Sequence, residues 1–205
     1  MKKRMNIVKS VVVAGALIIS GNAMAALSGN VGFNSNYLWR GQTQTNDQSA
    51  ISGGIDYAHD SGLYVGLWTS NVTWTTTPGS ELDAYVGFSG EAGSMSYDIG
   101  YISYGYPHEA TSDFSELYVG VGFGPASLTY SMDSVNKTSY IDLSADFKFS
   151  DKMGMGVHYG TWGDSATGTD YSVSLSQGDF AFGISSYDGD TSYKPFVSYS
   201  QSFDF

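Results

Sequence analysis

Beyond residue 25 the chain is dominated by short segments in which apolar and polar residues alternate with a period of two. Leu82–Phe88 places Leu, Ala, Val and Phe on one face, and Asp, Tyr and Gly on the other. Residues 116–123 and 141–149 repeat this arrangement. Because successive side chains of a β-strand point to opposite faces, this period is typical of strands with two unlike faces. The sequence therefore predicts an all-β fold.

About twelve such segments follow one another, and most have roughly the nine to eleven residues that a tilted transmembrane strand needs. We therefore predict a transmembrane antiparallel up-and-down β-barrel of about twelve strands, with ten to fourteen compatible with the pattern. The predicted strands are residues 29–38, 49–59, 62–72, 81–90, 94–105, 113–123, 126–133, 138–149, 152–162, 169–176, 179–187 and 192–205.

The connections between these segments alternate between two kinds. Tight links occur at 60–62, 91–93, 124–125, 150–151 and 177–178. Longer, more polar links are expected at 39–48, 73–80, 106–112 and 163–168. Outer-membrane barrels have short turns in the periplasm and longer loops outside, so an even strand number places both termini in the periplasm.

The first 25 residues have the composition of a secretory signal peptide. Met1–Arg4 is basic, Val11–Ile19 is apolar, and Ala23–Ala25 is an A-x-A cleavage site. We predict a cleaved signal peptide over 1–25 and a single barrel domain over 26–205. The alternative is an anchor that is not cleaved, although the apolar run is too short to span a bilayer as a helix.

Aromatic residues gather near the predicted strand ends. The tryptophans and several tyrosines lie toward the outer ends and many phenylalanines toward the periplasmic ends, as in the interfacial girdles of membrane barrels. The alternative is a packed core whose aromatic residues lie near strand ends. The tryptophans are Trp39, Trp68, Trp74 and Trp162. The phenylalanines are Phe88, Phe123, Phe147, Phe149, Phe180, Phe203 and Phe205.

The last strand ends in aromatic residues that share one face, and the final residue is a phenylalanine. These are Tyr199, Phe203 and Phe205. The pattern resembles the C-terminal signal by which the barrel-assembly machinery recognises outer-membrane barrels. We therefore expect this machinery and outer-membrane lipid as partners.

If the apolar faces meet lipid, the opposite faces line the interior, and they carry mostly acids. A charged residue facing lipid near the bilayer midplane costs about 2–4 kcal/mol when basic and less when acidic, which favours an interior position. The candidate lining residues are Arg40, Asp56, Asp83, Asp98, Glu116, Asp142, Asp146, Lys148, His158 and Asp170. Two interpretations stay open: a water-filled pore that attracts cations, and a closed barrel filled by paired side chains.

The part of the chain beyond residue 25 carries 20 acidic residues against five Lys or Arg, a net charge of −15. Such a charge disfavours nucleic acid as a partner, because both are polyanions. Arg40 is the lone basic residue between the signal segment and Lys137. It is either a constriction charge in the lumen or the partner of an acid, and structural pairing is the favoured role.

Several motifs resemble those of a known family. They include Tyr37–Gln44, Gly62–Gly66, Ser70–Val72 and Glu116–Gly120, and the resemblance extends from residue 29 to about 123. The chain resembles the TorF-type porins, bacterial outer-membrane barrels. This resemblance implies a porin role but supplies no solute and no catalytic residues.

The sequence gives no basis for enzymatic activity, a cofactor or a metal. None of the histidines, His59, His108 and His158, has a convincing spacing to a nucleophile and an acid. We therefore expect an outer-membrane channel for passive diffusion of small hydrophilic solutes, with a preference for cations. One alternative is a closed structural or surface-interaction barrel without transport. Another is a soluble periplasmic barrel whose apolar faces point inward.

Overall fold

The computed structural model describes residues 26–74, 77–163 and 168–205, and the predicted signal segment lies outside these residues. Twelve antiparallel strands form one closed barrel, each strand paired with its neighbours in sequence. A short hairpin, β2 and β3, lies between the first two barrel strands. The strands are β1 (Ala26–Asn34), β2 (Leu38–Trp39), β3 (Gln42–Thr43), β4 (Ala50–Ala58), β5 (Leu63–Trp74), β6 (Thr77–Ala92), β7 (Met95–Gly105), β8 (Phe114–Phe123), β9 (Ala126–Asp133), β10 (Ser139–Lys148), β11 (Met153–Trp162), β12 (Thr169–Gln177), β13 (Phe180–Tyr187) and β14 (Asp190–Asp204).

The barrel closes where the first and last strands pair. Ser28 of β1 lies opposite Asp204 of β14, and the register continues to Asn34 opposite Ser198. Closure leaves no unpaired strand edge, so the backbone groups of the wall are satisfied within the wall itself. The predicted twelve-stranded barrel is thereby confirmed.

Apolar and polar side chains are divided between the two faces of the wall as the alternation predicts. Leu82, Val86 and Leu117 are each 48–49% exposed on the outside. Asp83 and Glu116, their neighbours in sequence, are 4% and 2% exposed. Such an exterior is suited to contact with lipid rather than with water, because its apolar side chains match the hydrocarbon and the charged side chains are turned away from it.

The two ends of the barrel differ. The end at which β1 begins and β14 ends, here called the turn end, has connections of two to four residues (59–62, 93–94, 124–125, 149–152 and 178–179). The opposite end, here called the loop end, has the longest connections, 35–49 and 106–113. No helix among the described residues is long and apolar enough to cross a membrane.

Two predicted boundaries at the loop end are wrong. The long loop expected at 73–80 does not exist, because β5 and β6 remain paired as far as Trp74 opposite Thr77. The first strand ends at Asn34 rather than at residue 38, and the chain then turns into the barrel. Polar residues such as Ser80 indicated a loop between β5 and β6. The backbone pairing of these two strands instead continues beyond their apolar segments.

Phenylalanines at the turn end face outward, as expected of an interfacial girdle. Phe123, Phe149 and Phe205 are 64%, 61% and 74% exposed. The residues of the predicted assembly signal lie here as well: Tyr199 contacts Phe180, and Phe203 contacts Phe205 with ring centroids 5.4 Å apart.

Candidate functional site: the barrel interior and its inward loop

Residues 35–49, here called the inward loop, fold into the lumen instead of extending away from the loop end. The loop carries the β2–β3 hairpin, in which Trp39 pairs with Gln42. The two residues between them, Arg40 and Gly41, both have positive φ, +49° and +76°. Positive φ at both central residues defines the tight hairpin turn whose twist matches that of the flanking strands. The hairpin therefore presents Arg40 at its tip.

Arg40 joins the tip of the inward loop to the opposite wall. Its two terminal nitrogens donate to the two carboxylate oxygens of Glu116 on β8, both at 2.7 Å. The guanidinium also lies over the rings of Tyr140 and Trp162, 4.1 Å and 4.8 Å from their centroids. Paired, stacked contacts of this kind use the planar shape of arginine, and a lysine could not reproduce them.

Both partners of this ion pair are buried, with Arg40 6% and Glu116 2% exposed. Burial disfavours the charge on Arg40, but the adjacent Glu116 outweighs it and holds the pKa of the guanidinium above its ordinary value. A buried pair gives little net stability, but loss of one partner leaves an uncompensated charge. The structure therefore confirms the predicted pairing of Arg40 with an acid.

Gly41 fits a position that no other residue would occupy without strain. A Cβ built on Gly41 would lie 2.7 Å from the Cβ of Asp170 and 3.0 Å from that of Tyr187. With its positive φ, this close approach requires glycine. The tip of the loop is thus pressed against β12 and β13.

Polar contacts fix the rest of the inward loop. Thr43 donates to the side-chain oxygen of Asn36 at 2.7 Å, and the amide of Asn36 donates to Asp47 at 2.8 Å. Lys194 at the start of β14 donates to the same Asp47 at 2.8 Å. The inward loop is thereby tied both to itself and to the wall.

Aromatic side chains fill the loop-end half of the lumen around the inward loop. Trp39 packs edge-on against Trp162, Tyr104 and Phe114 at centroid distances of 5.6–6.1 Å. Tyr37 packs in the same way against Trp68, at 5.6 Å. The prediction that tryptophans form an outer girdle is wrong for Trp39, Trp68 and Trp162. Position near a strand end does not distinguish a ring facing lipid from one facing the lumen.

Five predicted lining acids are buried on the interior face: Asp56, Asp83, Asp98, Glu116 and Asp170, all at most 9% exposed. Asp142 and His158 are half-buried, and Asp146 and Lys148 are exposed near the turn end on the face of β10 that Asp142 shares. Arg40 alone of the predicted set lies on the inward loop rather than on a barrel strand. Whether these positions line a conducting path stays a prediction.

His158 joins two interior acids. Its Nδ1 lies 2.8 Å from Asp142 and its Nε2 lies 2.7 Å from Asp170, to which Tyr140 also donates. A carboxylate faces each ring nitrogen, an arrangement that accepts from both N–H groups of a protonated imidazole. The hydroxyl of Ser144 lies 3.3 Å from Nδ1 of His158, but it donates to Asp142 at 2.7 Å. The cluster is therefore an ion-pair bridge across β10, β11 and β12.

A second polar network lies on the opposite wall. Tyr64 donates to Asp98 at 2.7 Å and also contacts the hydroxyl of Tyr118, and Tyr85 donates to Asp56. Tyrosine hydroxyls thus satisfy acids that have no basic partner among the ion pairs of the described residues. Glu81 is a further interior acid, 2% exposed, that the sequence analysis did not identify. Glu81 lies two residues before Asp83, and this spacing indicated that both side chains share the interior face.

The lumen is less filled beside the inward loop and toward the turn end. A cavity of about 320 Å³ lies between the loop and the 106–113 connection, lined by Trp39, Gln42, Thr43, Gln44, Tyr106, Ser112 and Phe114. Near the turn end, interior positions are small: Gly122 faces Ser96, and Gly154 faces Ser176. Among the described residues, no group of three or more His, Cys, Asp or Glu is arranged to hold a metal ion.

Two solved structures with a similar fold are described as porins. The chain is similar to "KdgM porin", with a TM-score of 0.60, 10% identity, and coverage of 87% of this chain and 99% of that one. It is equally similar to "KdgM porin in complex with disordered oligogalacturonate" (TM-score 0.60, 8% identity, coverage of 88% and 99%). At these identities the likeness concerns the fold alone. No curated protein sequence matches the chain significantly.

One family model covers most of the sequence, matching residues 20–201. Its match includes all of β1 to β13 and the inward loop. The chain belongs to the Gcw_chp family, described as bacterial proteins of unknown function.

Proposed function

We propose that the protein is an outer-membrane channel for small hydrophilic solutes, with the turn end in the periplasm and an aperture set by the inward loop. The observation that carries the proposal is a polar, charged interior inside an apolar exterior, crossed by one loop. Barrels of eight strands are filled by side chains, whereas those of sixteen to eighteen leave an aqueous channel. A twelve-stranded barrel lies between, so a loop folded inside it determines how much of the lumen stays open.

The space beside the inward loop supports an open path. Its volume of about 320 Å³ is far above the roughly 10–15 Å³ that one water molecule needs. Amide and hydroxyl groups of Gln42, Thr43 and Ser112 line it together with aromatic rings. Toward the turn end, glycine and serine leave further room for water.

We further propose that the channel prefers neutral or cationic solutes. Interior strand positions in the described residues carry at least nine carboxylates: Asp56, Glu81, Asp83, Asp98, Glu116, Asp133, Asp142, Asp146 and Asp170. The basic groups of the interior are fewer: Arg40, Lys148, His158 and Lys194. Oligogalacturonate, named with the similar porin, is polyanionic and would be repelled by such an interior. We therefore propose that the solute of this channel is not a polyanion of the oligogalacturonate type.

The remaining parts of the proposal rest on the sequence. They are export through a signal peptide over residues 1–25, assembly through the C-terminal Tyr199, Phe203 and Phe205, and membership of the TorF-type porins. We propose no enzymatic activity, because His158 is held between two acids and the nearest hydroxyl, that of Ser144, donates to Asp142 rather than to the imidazole.

The proposal is tested in planar bilayers with purified, folded protein. We expect discrete conductance steps, and reversal potentials in a salt gradient that favour cations. The heat-dependent gel shift of membrane barrels serves as the folding control. Absence of conductance from folded protein would reject the channel, and reversal potentials favouring anions would reject only the charge preference.

A second candidate is a closed barrel without transport. It is favoured by the buried Arg40–Glu116 pair and the aromatic rings around it, which pack the loop-end half of the lumen. The two candidates differ in one result. A closed barrel conducts only after the tip of the inward loop is removed, whereas the channel conducts with the loop intact.

A further inference from the structure

Two buried acids in the loop-end half of the lumen have no basic partner in the part of the chain that the structure describes. Glu81 and Asp83 lie two residues apart on the interior face of β6, 2% and 4% exposed. They are close enough for the charge of Glu81 to act on Asp83. Neither forms an ion pair with a Lys, Arg or His of the described residues. Arg40, which is also in this half, is engaged with Glu116.

One oxygen of each carboxylate makes no hydrogen bond. Tyr106 donates to Oε1 of Glu81 at 3.1 Å, but Oε2 of Glu81 and Oδ1 of Asp83 are buried without a hydrogen-bond partner. An isolated ionised carboxylate in a low-dielectric interior is strongly unfavourable, and two side by side repel each other as well. This pair therefore needs a compensating positive charge.

A third oxygen points toward the same pair. Tyr37, at the start of the inward loop, is 4% exposed, and its hydroxyl faces the Glu81 carboxylate without forming a well-aligned hydrogen bond. Ser70 lies directly opposite Glu81 in the β5–β6 register and is also buried. The cluster thus combines two carboxylates with neutral hydroxyl oxygens and contains no nitrogen or sulfur ligand.

We infer that Glu81, Asp83 and Tyr37 form a binding site for one divalent, oxygen-coordinated cation of the calcium class, independent of solute transport. Calcium takes oxygen ligands in a flexible geometry, and water molecules complete its shell where the protein offers few. Two carboxylates balance its charge, whereas a monovalent cation leaves one negative charge uncompensated. The cation joins Tyr37 of the inward loop to β6 and so stabilises the loop in its position inside the barrel.

The test uses the full folded barrel in detergent, with Ca²⁺ as the probe after treatment with a chelator. Equilibrium dialysis is expected to find one saturable Ca²⁺ per chain, and Ca²⁺ is expected to raise the unfolding temperature. NaCl at equal ionic strength is expected to do neither. Conductance is not part of the readout, so the result stands whether or not the barrel is a channel.

The informative variant is Glu81→Gln with Asp83→Asn, which removes both charges and keeps the side-chain shapes. It is expected to lose the saturable Ca²⁺ site and, without Ca²⁺, to unfold at a higher temperature than the chelated wild type. The matched control is Asp56→Asn with Asp98→Asn, since tyrosine hydroxyls already satisfy those acids. This control is expected to retain one Ca²⁺ per chain.

Three results would overturn the inference. One is wild-type protein without a saturable Ca²⁺ site. Another is equal stabilisation by NaCl. The third is stabilisation of chelated wild type by mild acid alone, to the level reached with Ca²⁺, which would show that a shared proton neutralises the pair. The single variant Glu81→Gln covers the case in which the double variant fails to fold.

Discussion

The two halves of the barrel interior are built differently. At the loop end, the inward loop, a buried ion pair and stacked aromatic rings occupy the lumen, and Arg40, Glu116 and Tyr140 are each at most 6% exposed. At the turn end, glycine and serine face the lumen, and Asp146 is exposed on the interior face of β10. The same barrel wall therefore anchors a loop in one half and carries small or exposed interior residues in the other.

The largest effect is expected from removing the structure that distinguishes the halves. Replacing residues 38–43 by a short Gly-Ser link takes away the hairpin and its tip. We expect the conductance to rise roughly twofold or more, since a barrel of this size is not filled by its wall side chains alone. Single-channel recording measures it, and unchanged conductance would mean that the inward loop does not set the aperture.

Arg40→Ala tests the anchor of the loop-end half. It leaves the Glu116 carboxylate buried without its partner, so we expect the free energy of unfolding to fall by about 3–5 kcal/mol. The control is Lys194→Ala, whose partners Asp47 and Asp190 are well exposed, with an expected loss of about 1 kcal/mol or less. Urea unfolding in lipid vesicles compares them. Equal losses would contradict an anchoring role for Arg40.

Gly41→Ala tests how closely the tip is pressed against the wall. We expect the free energy of unfolding to fall by about 1–3 kcal/mol, because the backbone is strained and the new methyl group contacts Asp170. Gly93→Ala in a turn is the matched control, because it has a similar positive φ of +68° but no atom within 4 Å of a Cβ. Unfolding in urea again gives the readout. If the free energy of unfolding falls equally in both variants, backbone strain alone explains the effect of Gly41→Ala and close contact with the wall does not contribute.

The smallest effect concerns the open half. Asp146→Asn removes an interior charge that water reaches, and the preference for cations is expected to weaken without loss of folding. Reversal potentials in a salt gradient measure the change. The same substitution at Asp56 or at Asp98, which are buried and bonded to tyrosines, is expected to change selectivity less. A larger change there would place the conducting path along that wall.

The strands were predictable from sequence because their signal is local. Alternation with a period of two located all twelve barrel strands, and the position of acids between apolar residues gave the direction of each face. Leu82 and Asp83 illustrate this, since neighbours in sequence lie on opposite sides of the wall. The turn end was predicted well for the same reason, as short turns depend on adjacent residues.

The inward loop was not predictable, because its contacts join residues far apart in sequence. Arg40 meets Glu116 and the ring of Tyr140, 76 and 100 positions later, and no local pattern encodes that meeting. Trp39 and Trp162 were assigned to an outer girdle for the same reason. The isolated position of Arg40 in the sequence predicted that it pairs with an acid, but it did not identify Glu116 as the partner.

The central claim is that the face bearing Asp146 meets water in the lumen while the adjacent face meets lipid. The chain contains no cysteine, so Asp146→Cys and Phe147→Cys each introduce a single thiol. In folded protein reconstituted into lipid vesicles, a charged, water-soluble thiol reagent is expected to label Asp146→Cys rapidly and Phe147→Cys hardly at all. Rapid labelling of Phe147→Cys with protection of Asp146→Cys would contradict the account.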